Sequence, residues 1–137
     1  MSSRILNISE ATVIALHALR LIAAADSCLS SADIASRARV SQAHLSKVLR
    51  KLVTAGMLSV KRGPAGGFYL TKEQAGASFM EVYELFDGKC IAHNCVFQAG
   101  PCGGKECIFG DFIKRINGEF VKFFTKTKIS NRKRKQI

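Results

Sequence analysis

Apolar residues between Ser9 and Ala55 recur at helical spacing, and three serines interrupt them at places where a helix would begin. Ser9 fits an N-cap for a helix from about Glu10 to Ala25. The apolar residues Ala11, Val13, Ile14, Ala15, Leu16, Ala18, Leu19 and Ile22 nearly encircle that helix, which predicts burial on more than one side. Ser30 with Asp33 forms a capping-box pattern that opens a short helix through about Arg37. After a turn near Arg39 and Val40, Ser41 caps a longer helix from about Gln42 to Ala55, and Gly56 stands where a C′ glycine is expected.

The period then changes. Met57 to Arg62 reads as a short strand, Gly63-Pro64-Ala65-Gly66-Gly67 as a turn, and Phe68 to Thr71 as the returning strand. Ser78 and Glu81 cap a helix from about Phe79 to Phe86. Residues 88–107 are loop-like and rich in cysteine. A final amphipathic helix is predicted from about Phe109 to Phe124, slightly weakened by Gly118. Its seam of Phe109, Ile113, Ile116, Phe120 and Phe123 has spacings of 4, 3, 4 and 3, a coiled-coil-like period that suits pairing with a second helix. Beyond Lys126 no apolar period remains, so residues 126–137 read as a disordered basic tail. The expected fold is mainly α with a small β-hairpin wing: a winged helix-turn-helix over residues 1–75, then a cysteine-rich loop and dimerisation helix over 76–125.

Charge sharpens this outline. The net charge is +11, but it is concentrated. Residues 31–72 carry eight basic and one acidic side chain, and residues 126–137 carry six basic and none acidic, whereas 73–125 is slightly acidic. Two short helices with a tight turn and a basic hairpin, all within the central positive block, point to double-stranded DNA. Ile34, Ala35, Leu45, Val48, Leu49 and Leu52 would clamp the two helices together. Ser41, Gln42, Ala43, His44, Ser46, Lys47 and Arg50 would then lie on the first turn or outer face of the second helix. There Gln42 suits adenine, and Lys47 and Arg50 suit guanine edges or phosphates. Lys61, Arg62, Gly63, Gly66, Gly67 and Tyr69 would present the hairpin to the sugar-phosphate backbone. The tail would add affinity by neutralising phosphates, or serve only as a solubilising terminus.

No apolar run approaches a membrane span, and Met1 to Asn7 lack a signal-peptide layout, so a cytoplasmic protein with no membrane partner is expected. In that compartment the cysteines suit metal or redox roles better than a disulfide frame. Cys90, Cys95, Cys102 and Cys107 follow C-x4-C-x6-C-x4-C, with His93 inside the loop. Thiolates suit zinc, iron–sulfur clusters or Cu(I). The paired short knuckles of structural zinc are absent, and the wider gaps wrap more easily around a 2Fe-2S or 4Fe-4S cluster. Zinc, free redox thiols and a disulfide pair stay open as alternatives. Cys28 reads as a small buried hydrophobe. There is no phosphate-binding glycine motif, Ser/His/Asp set or H-E-x-x-H, so no enzyme is expected. The competing readings are an iron–sulfur redox protein, which leaves the basic hairpin unexplained, and an architectural DNA-coating protein, which leaves the cysteines unexplained.

The stretch SQAHLSKVLRKLVTAGMLSVKRGPAGGFYL resembles the DNA-binding core of the Rrf2 family of bacterial transcriptional regulators, most specifically from Lys61 to Leu70. That family includes regulators that hold iron–sulfur clusters and repressors sensitive to nitric oxide. The resemblance covers roughly residues 6–125. It implies a homodimer through the C-terminal helix, recognition by the helix after Ser41, a wing in the adjacent minor groove, and a repressor that senses redox state, nitric oxide or cluster status. Cluster-holding members use three cysteines in the loop before the dimer helix, where Cys90, Cys95 and Cys102 stand here, with the middle one displaced by one position from C-x5-C-x5-C. Lys105 stands where some relatives place a histidine, and Val13 where others place a carboxylate, so neither supplies a ligand. The resemblance leaves Cys107 as the simplest fourth ligand and His17 and His93 as further candidates. A metal-free relative sensing a metabolite or thiol state is the alternative it implies.

Overall fold

A computed structural model describes residues 7–90 and 106–130. Its elements, in chain order, are α1 (Glu10–Ala24), α2 (Ser31–Ala38), α3 (Gln42–Thr54), β1 (Ser59–Lys61), β2 (Gly67–Tyr69), α4 (Lys72–Ala75), α5 (Phe79–Asp87) and α6 (Phe112–Lys126). Local chemistry sets most of the boundaries. Ser9, Ser30, Ser41, Thr71 and Ser78 each accept a backbone N–H from the first turn of the helix they precede. Gly56 takes φ +78° just past α3, a left-handed position that glycine adopts without strain.

The core is built on α1, whose Ala15, Ala18 and Leu19 are sealed from solvent. Ile34 of α2 and Leu45, Val48, Leu49 and Leu52 of α3 pack against it. The helix-turn-helix clamp expected from these apolar residues is therefore present, and α3 keeps one polar face outward. Val82 of α5 belongs to the same core. The two strands pair antiparallel, with Ser59 opposite Tyr69, Val60 opposite Phe68 and Lys61 opposite Gly67. The described residues are mainly helical with one small hairpin, a winged helix.

Two expectations change. The last helix begins at Phe112, not Phe109, because Gly110 adopts φ +59° and breaks the helical path, leaving Phe109 in the preceding turn. The chain after Lys126 is not free as far as Ser130. Ile129 is 1% exposed, and its N–H donates to the Ala77 carbonyl at 3.0 Å. A lone apolar residue carries no period, so its anchoring role was invisible in the hydrophobic pattern. The rest of the tail, residues 131–137, lies outside the described residues.

Candidate nucleic-acid interface

The outer face of α3 is set by what its inner face buries. With Leu45, Val48, Leu49 and Leu52 turned inward, Ala43, Lys47, Arg50 and Thr54 fall on the opposite side at spacings of 4, 3 and 4, and all four are exposed. Ser41 sits at the N-cap and accepts the His44 N–H at 3.2 Å. Ser41 and Gln42 are exposed, while His44 and Ser46 are half-buried. The Gln42 side-chain amide donates to Ser31 Oγ at 3.1 Å, tying the start of α3 to the start of α2. Lys51 turns away, over the Phe86 ring at 5.2 Å, and so belongs to the α3–α5 contact. Among the described residues, Arg37, Arg39, Lys47, Arg50, Lys61 and Arg62 make no ion pair within 4 Å. Asp33, the one acid of the basic block, is occupied by accepting the Ser30 N–H in the α2 capping box.

The hairpin is fixed at its root. Gly66 donates to the Gly63 carbonyl at 3.0 Å and closes the turn. A Cβ on Gly66 would come within 2.0 Å of the Lys61 carbonyl oxygen, and one on Gly67 within 2.7 Å of the Leu29 carbonyl oxygen. Both glycines are thus required by close backbone approach. Leu29, in the α1–α2 connection, forms an antiparallel bridge with Phe68, in effect a third rung beside the hairpin. Beyond this root Lys61, Arg62, Gly63 and Tyr69 are exposed.

Sequence reasoning missed two of the supports. Leu29 sits between turn residues and has no strand pattern of its own. Gln74 accepts from Ser59 Oγ at 2.9 Å and from the Thr71 N–H at 3.0 Å, and donates to the Gly56 carbonyl at 3.0 Å. It thereby locks α4 to the base of the wing. The signal was available, since Thr71-x-x-Gln74 is a capping-box pattern. A groove of about 520 Å3 opens at this base, lined among others by Asp26, Cys28, Lys61, Tyr69 and Ala75.

Of the expected metal ligands, Cys95, Cys102 and His93 lie outside the described residues. Cys90 and Cys107 flank them, one just after α5 and the other just before α6. The Cys90 N–H donates to Glu84 at 2.8 Å. Burial, with the Glu84 carboxylate adding to it, pushes the Cys90 thiol up from its ordinary value. The Phe109 N–H donates to Cys107 Sγ at 3.4 Å. His17 is exposed on α1, and no three potential ligands converge among the described residues.

The apolar seam of α6 divides between two surroundings. Phe120 stacks on Phe124 at 4.3 Å and meets Tyr83 edge-on at 5.3 Å, so it packs within its own chain. Phe123 touches Phe79 at 6.1 Å yet stays 57% exposed. Phe109 and Phe112 are exposed as well, and Ile113 and Ile116 are half-buried. Among the described residues no helix is long and apolar enough to cross a membrane.

An outward basic helix face beside a braced glycine hairpin defines a winged helix-turn-helix protein. The Rrf2 family, described as iron-dependent transcriptional regulator, matches residues 8–131. The chain belongs to that family. It is 31% identical over 91 residues to the HTH-type transcriptional regulator IscR of Klebsiella pneumoniae (strain 342), a match covering 64% of this chain and 56% of that one. The matched region thus spans little more than half the length of that relative. Among solved structures, CymR (YrzC), the global cysteine regulator of B. subtilis, superposes with a TM-score of 0.74 at 20% identity, covering 93% of this chain and 95% of that one. T. potens IscR superposes with a TM-score of 0.67 at 15% identity, covering 95% and 88%. These two likenesses concern the fold.

Proposed function

We propose that the chain is a cytoplasmic, homodimeric repressor that binds double-stranded DNA and carries a cysteine-ligated iron–sulfur cluster sensitive to redox state, nitric oxide or cluster supply. The observation that carries the DNA half is the exposed basic face of α3, Lys47 and Arg50, free of ion pairs among the described residues, together with a wing whose Lys61 and Arg62 are exposed and whose root is braced. Ser41, Gln42, Ala43, His44 and Ser46 would meet base edges or phosphates in the major groove, and Gly63, Gly66, Gly67 and Tyr69 would let the wing approach the neighbouring backbone. A two-fold dimer built on Phe109, Ile113, Ile116 and the exposed side of Phe123, with Phe120 as support, would set the spacing between half-sites.

The cluster half rests on the donor set. Cys90 and Cys107 close a loop that also holds Cys95 and Cys102, four soft ligands. The N–H directed at Cys107 sulfur is the kind of hydrogen bond that tunes a bound cluster. An iron–sulfur cluster would supply redox sensitivity at this loop. The chain's own part is to hold the four thiols between α5 and α6, at the junction of wing domain and dimer helix. His17 and His93 remain secondary donors.

The test joins two measurements. Protein purified without oxygen is assayed for iron, sulfide and visible absorption, then used loaded and stripped to select duplexes from a random library. Sequence-selective binding that differs between the two states supports the whole reading. Selective binding by a colourless, iron-free protein removes the cluster alone. No duplex preference over bulk DNA removes the regulator.

A second reading is a metal-free regulator that senses a metabolite or thiol state. It is favoured by the groove at the wing base, where Cys28 lies beside Lys61 and Tyr69. A small molecule bound there would touch the wing directly.

A further inference from the structure

Resting on the DNA-binding reading, we infer that Arg39, in the turn between α2 and α3, is a phosphate clamp: its guanidinium grips the duplex backbone at the rim of the groove that α3 enters and so fixes how that helix sits. The observation behind this is a residue that does not suit its own backbone. Arg39 takes φ +58° and ψ +46°, the left-handed conformation. The other positive-φ positions among the described residues are Gly56, Gly63, Gly67, Gly88 and Gly110, all glycine. An L side chain is disfavoured there because its Cβ crowds the following carbonyl oxygen. Glycine or asparagine would serve such a turn better.

The turn itself does not ask for arginine. The N–H groups of Arg39 and Val40 both donate to the Ala35 carbonyl, that of Val40 at 3.1 Å, a pairing that closes a helix through a left-handed residue. Val40 and Ala35 both join the core. These contacts use the main chain and Val40, not the Arg39 side chain. That side chain is exposed and makes no ion pair among the described residues. Asp33, the acid nearest to it in sequence, is tied up in the α2 capping box. Among the described residues nothing repays the unfavourable conformation, which directs attention to a partner outside the chain.

The place of the residue says what that partner is. Arg39 lies two residues ahead of Ser41, the N-cap of α3. When the second helix of a helix-turn-helix lies in the major groove, the first helix crosses the sugar-phosphate backbone beside it, and the turn joins the two. Arg37, in the last turn of α2, is exposed and free of ion pairs among the described residues as well. Between Asp33 and Glu73 the chain holds no acidic residue, so a polyanion meets no local repulsion there. The planar guanidinium can hold two oxygens of one phosphate at once, which a lysine ammonium does not do in a fixed geometry. A contact of this kind positions the protein on any sequence and reads none.

The experiment compares the full chain with Arg39→Gly, Arg39→Gln and Arg39→Lys. Each is unfolded in urea and titrated over a salt series with a selected duplex and with a random duplex of equal length. Arg39→Gly should raise the urea midpoint, because the strain is relieved, and yet weaken both duplexes on the order of tenfold at low salt, leaving their ratio unchanged. The slope of log K against log salt should flatten by about 0.9, the contribution of one phosphate. Arg39→Gln should lose the same affinity and slope with no rise in midpoint, and Arg39→Lys should keep the slope. Replacing single phosphates of the selected duplex by neutral methylphosphonates should find one position that weakens the wild type and leaves Arg39→Gly unaffected. An Arg39→Gly variant that binds both duplexes as the wild type does, or loses the selected duplex alone, overturns the clamp while leaving the regulator reading intact. A lowered urea midpoint for Arg39→Gly overturns it too, since the strain would then be absent. Wild-type protein that binds neither duplex overturns the regulator reading itself.

Discussion

Leu29 and Phe68 exchange both of their backbone hydrogen bonds, at 3.1 Å from the Leu29 N–H and 2.8 Å from the Phe68 N–H. This pair rivets the wing to the connection between α1 and α2, and Gly67 makes it possible by bringing the hairpin backbone against the Leu29 carbonyl. Gly67→Ala should therefore shift the wing. Its Cβ would lie 2.7 Å from that oxygen at a φ of +147° that side chains rarely adopt. The expected cost is about 1–3 kcal/mol of stability, read by denaturant unfolding, together with weakened duplex binding. Gly63→Ala, where nothing lies within 4 Å, should retain the Leu29–Phe68 bridge and be disturbed only by its own φ of +108°.

Lys47 and Arg50 are exposed and carry no packing load. Alanine at either should change unfolding free energy by no more than about 0.5 kcal/mol while weakening DNA binding. A residue that meets phosphate should lower the salt slope by about 0.9 and weaken all sequences alike. One that reads a base edge should lose about 1–3 kcal/mol of discrimination at a single position. Titrations against single-base operator variants separate the two roles.

Neighbouring phenylalanines on α6 should behave oppositely. Phe123 is 57% exposed and Phe124 is 7% exposed, packed among Phe79, Tyr83 and Phe120. If the proposed dimer is built on α6, Phe123→Glu should leave helicity intact and shift sedimentation from dimer toward monomer. Phe124→Ala should cost about 3–5 kcal/mol of stability. Retention of the dimer by Phe123→Glu would put the subunit contact elsewhere.

Stability should fall in alkaline solution for a reason located at Tyr83. Its hydroxyl donates to the Asn7 carbonyl at 3.1 Å. Burial first, then the negative charges of Asp87, Cys90 and Glu84, raise its pKa above the usual 10.0. The folded chain thus holds this proton more tightly than the unfolded chain. Its contribution is complete below about pH 10 and is lost as pH climbs through the raised value. Tyr83→Phe should remove that part of the decline in a series of unfolding midpoints from pH 8 to 11.

The helical skeleton was legible because its signals are local. Serine caps, the apolar clamp of Ile34 with Leu45 and Leu49, and the C′ glycine at position 56 each declare themselves within a few residues. The outward polar face of α3 followed, since burying one side of the helix dictates the other. Long-range backbone pairing was not legible. Leu29 meets Phe68 and Ser130 meets Ala75 across stretches with no shared pattern, and main-chain groups leave no mark on residue type. The start of α6 was misjudged because Phe109 fits the seam's period, whereas the backbone breaks at Gly110. Side-chain spacing put Phe120 and Phe123 on one seam, whereas Phe120 packs against Tyr83 and Phe124 within its own chain and Phe123 stays 57% exposed.

Asp87 ends α5, and its carboxylate accepts hydrogen bonds from the Ser9 N–H, the Ser9 hydroxyl and the Thr12 hydroxyl at the start of α1. Three residues later the chain reaches Cys90 and enters the cysteine loop. Because α1 is also the floor on which α3 rests, one acidic side chain pins the end of α5 to the support of that helix. Any pull that drags the end of α5 must either break those bonds or tilt the floor with it.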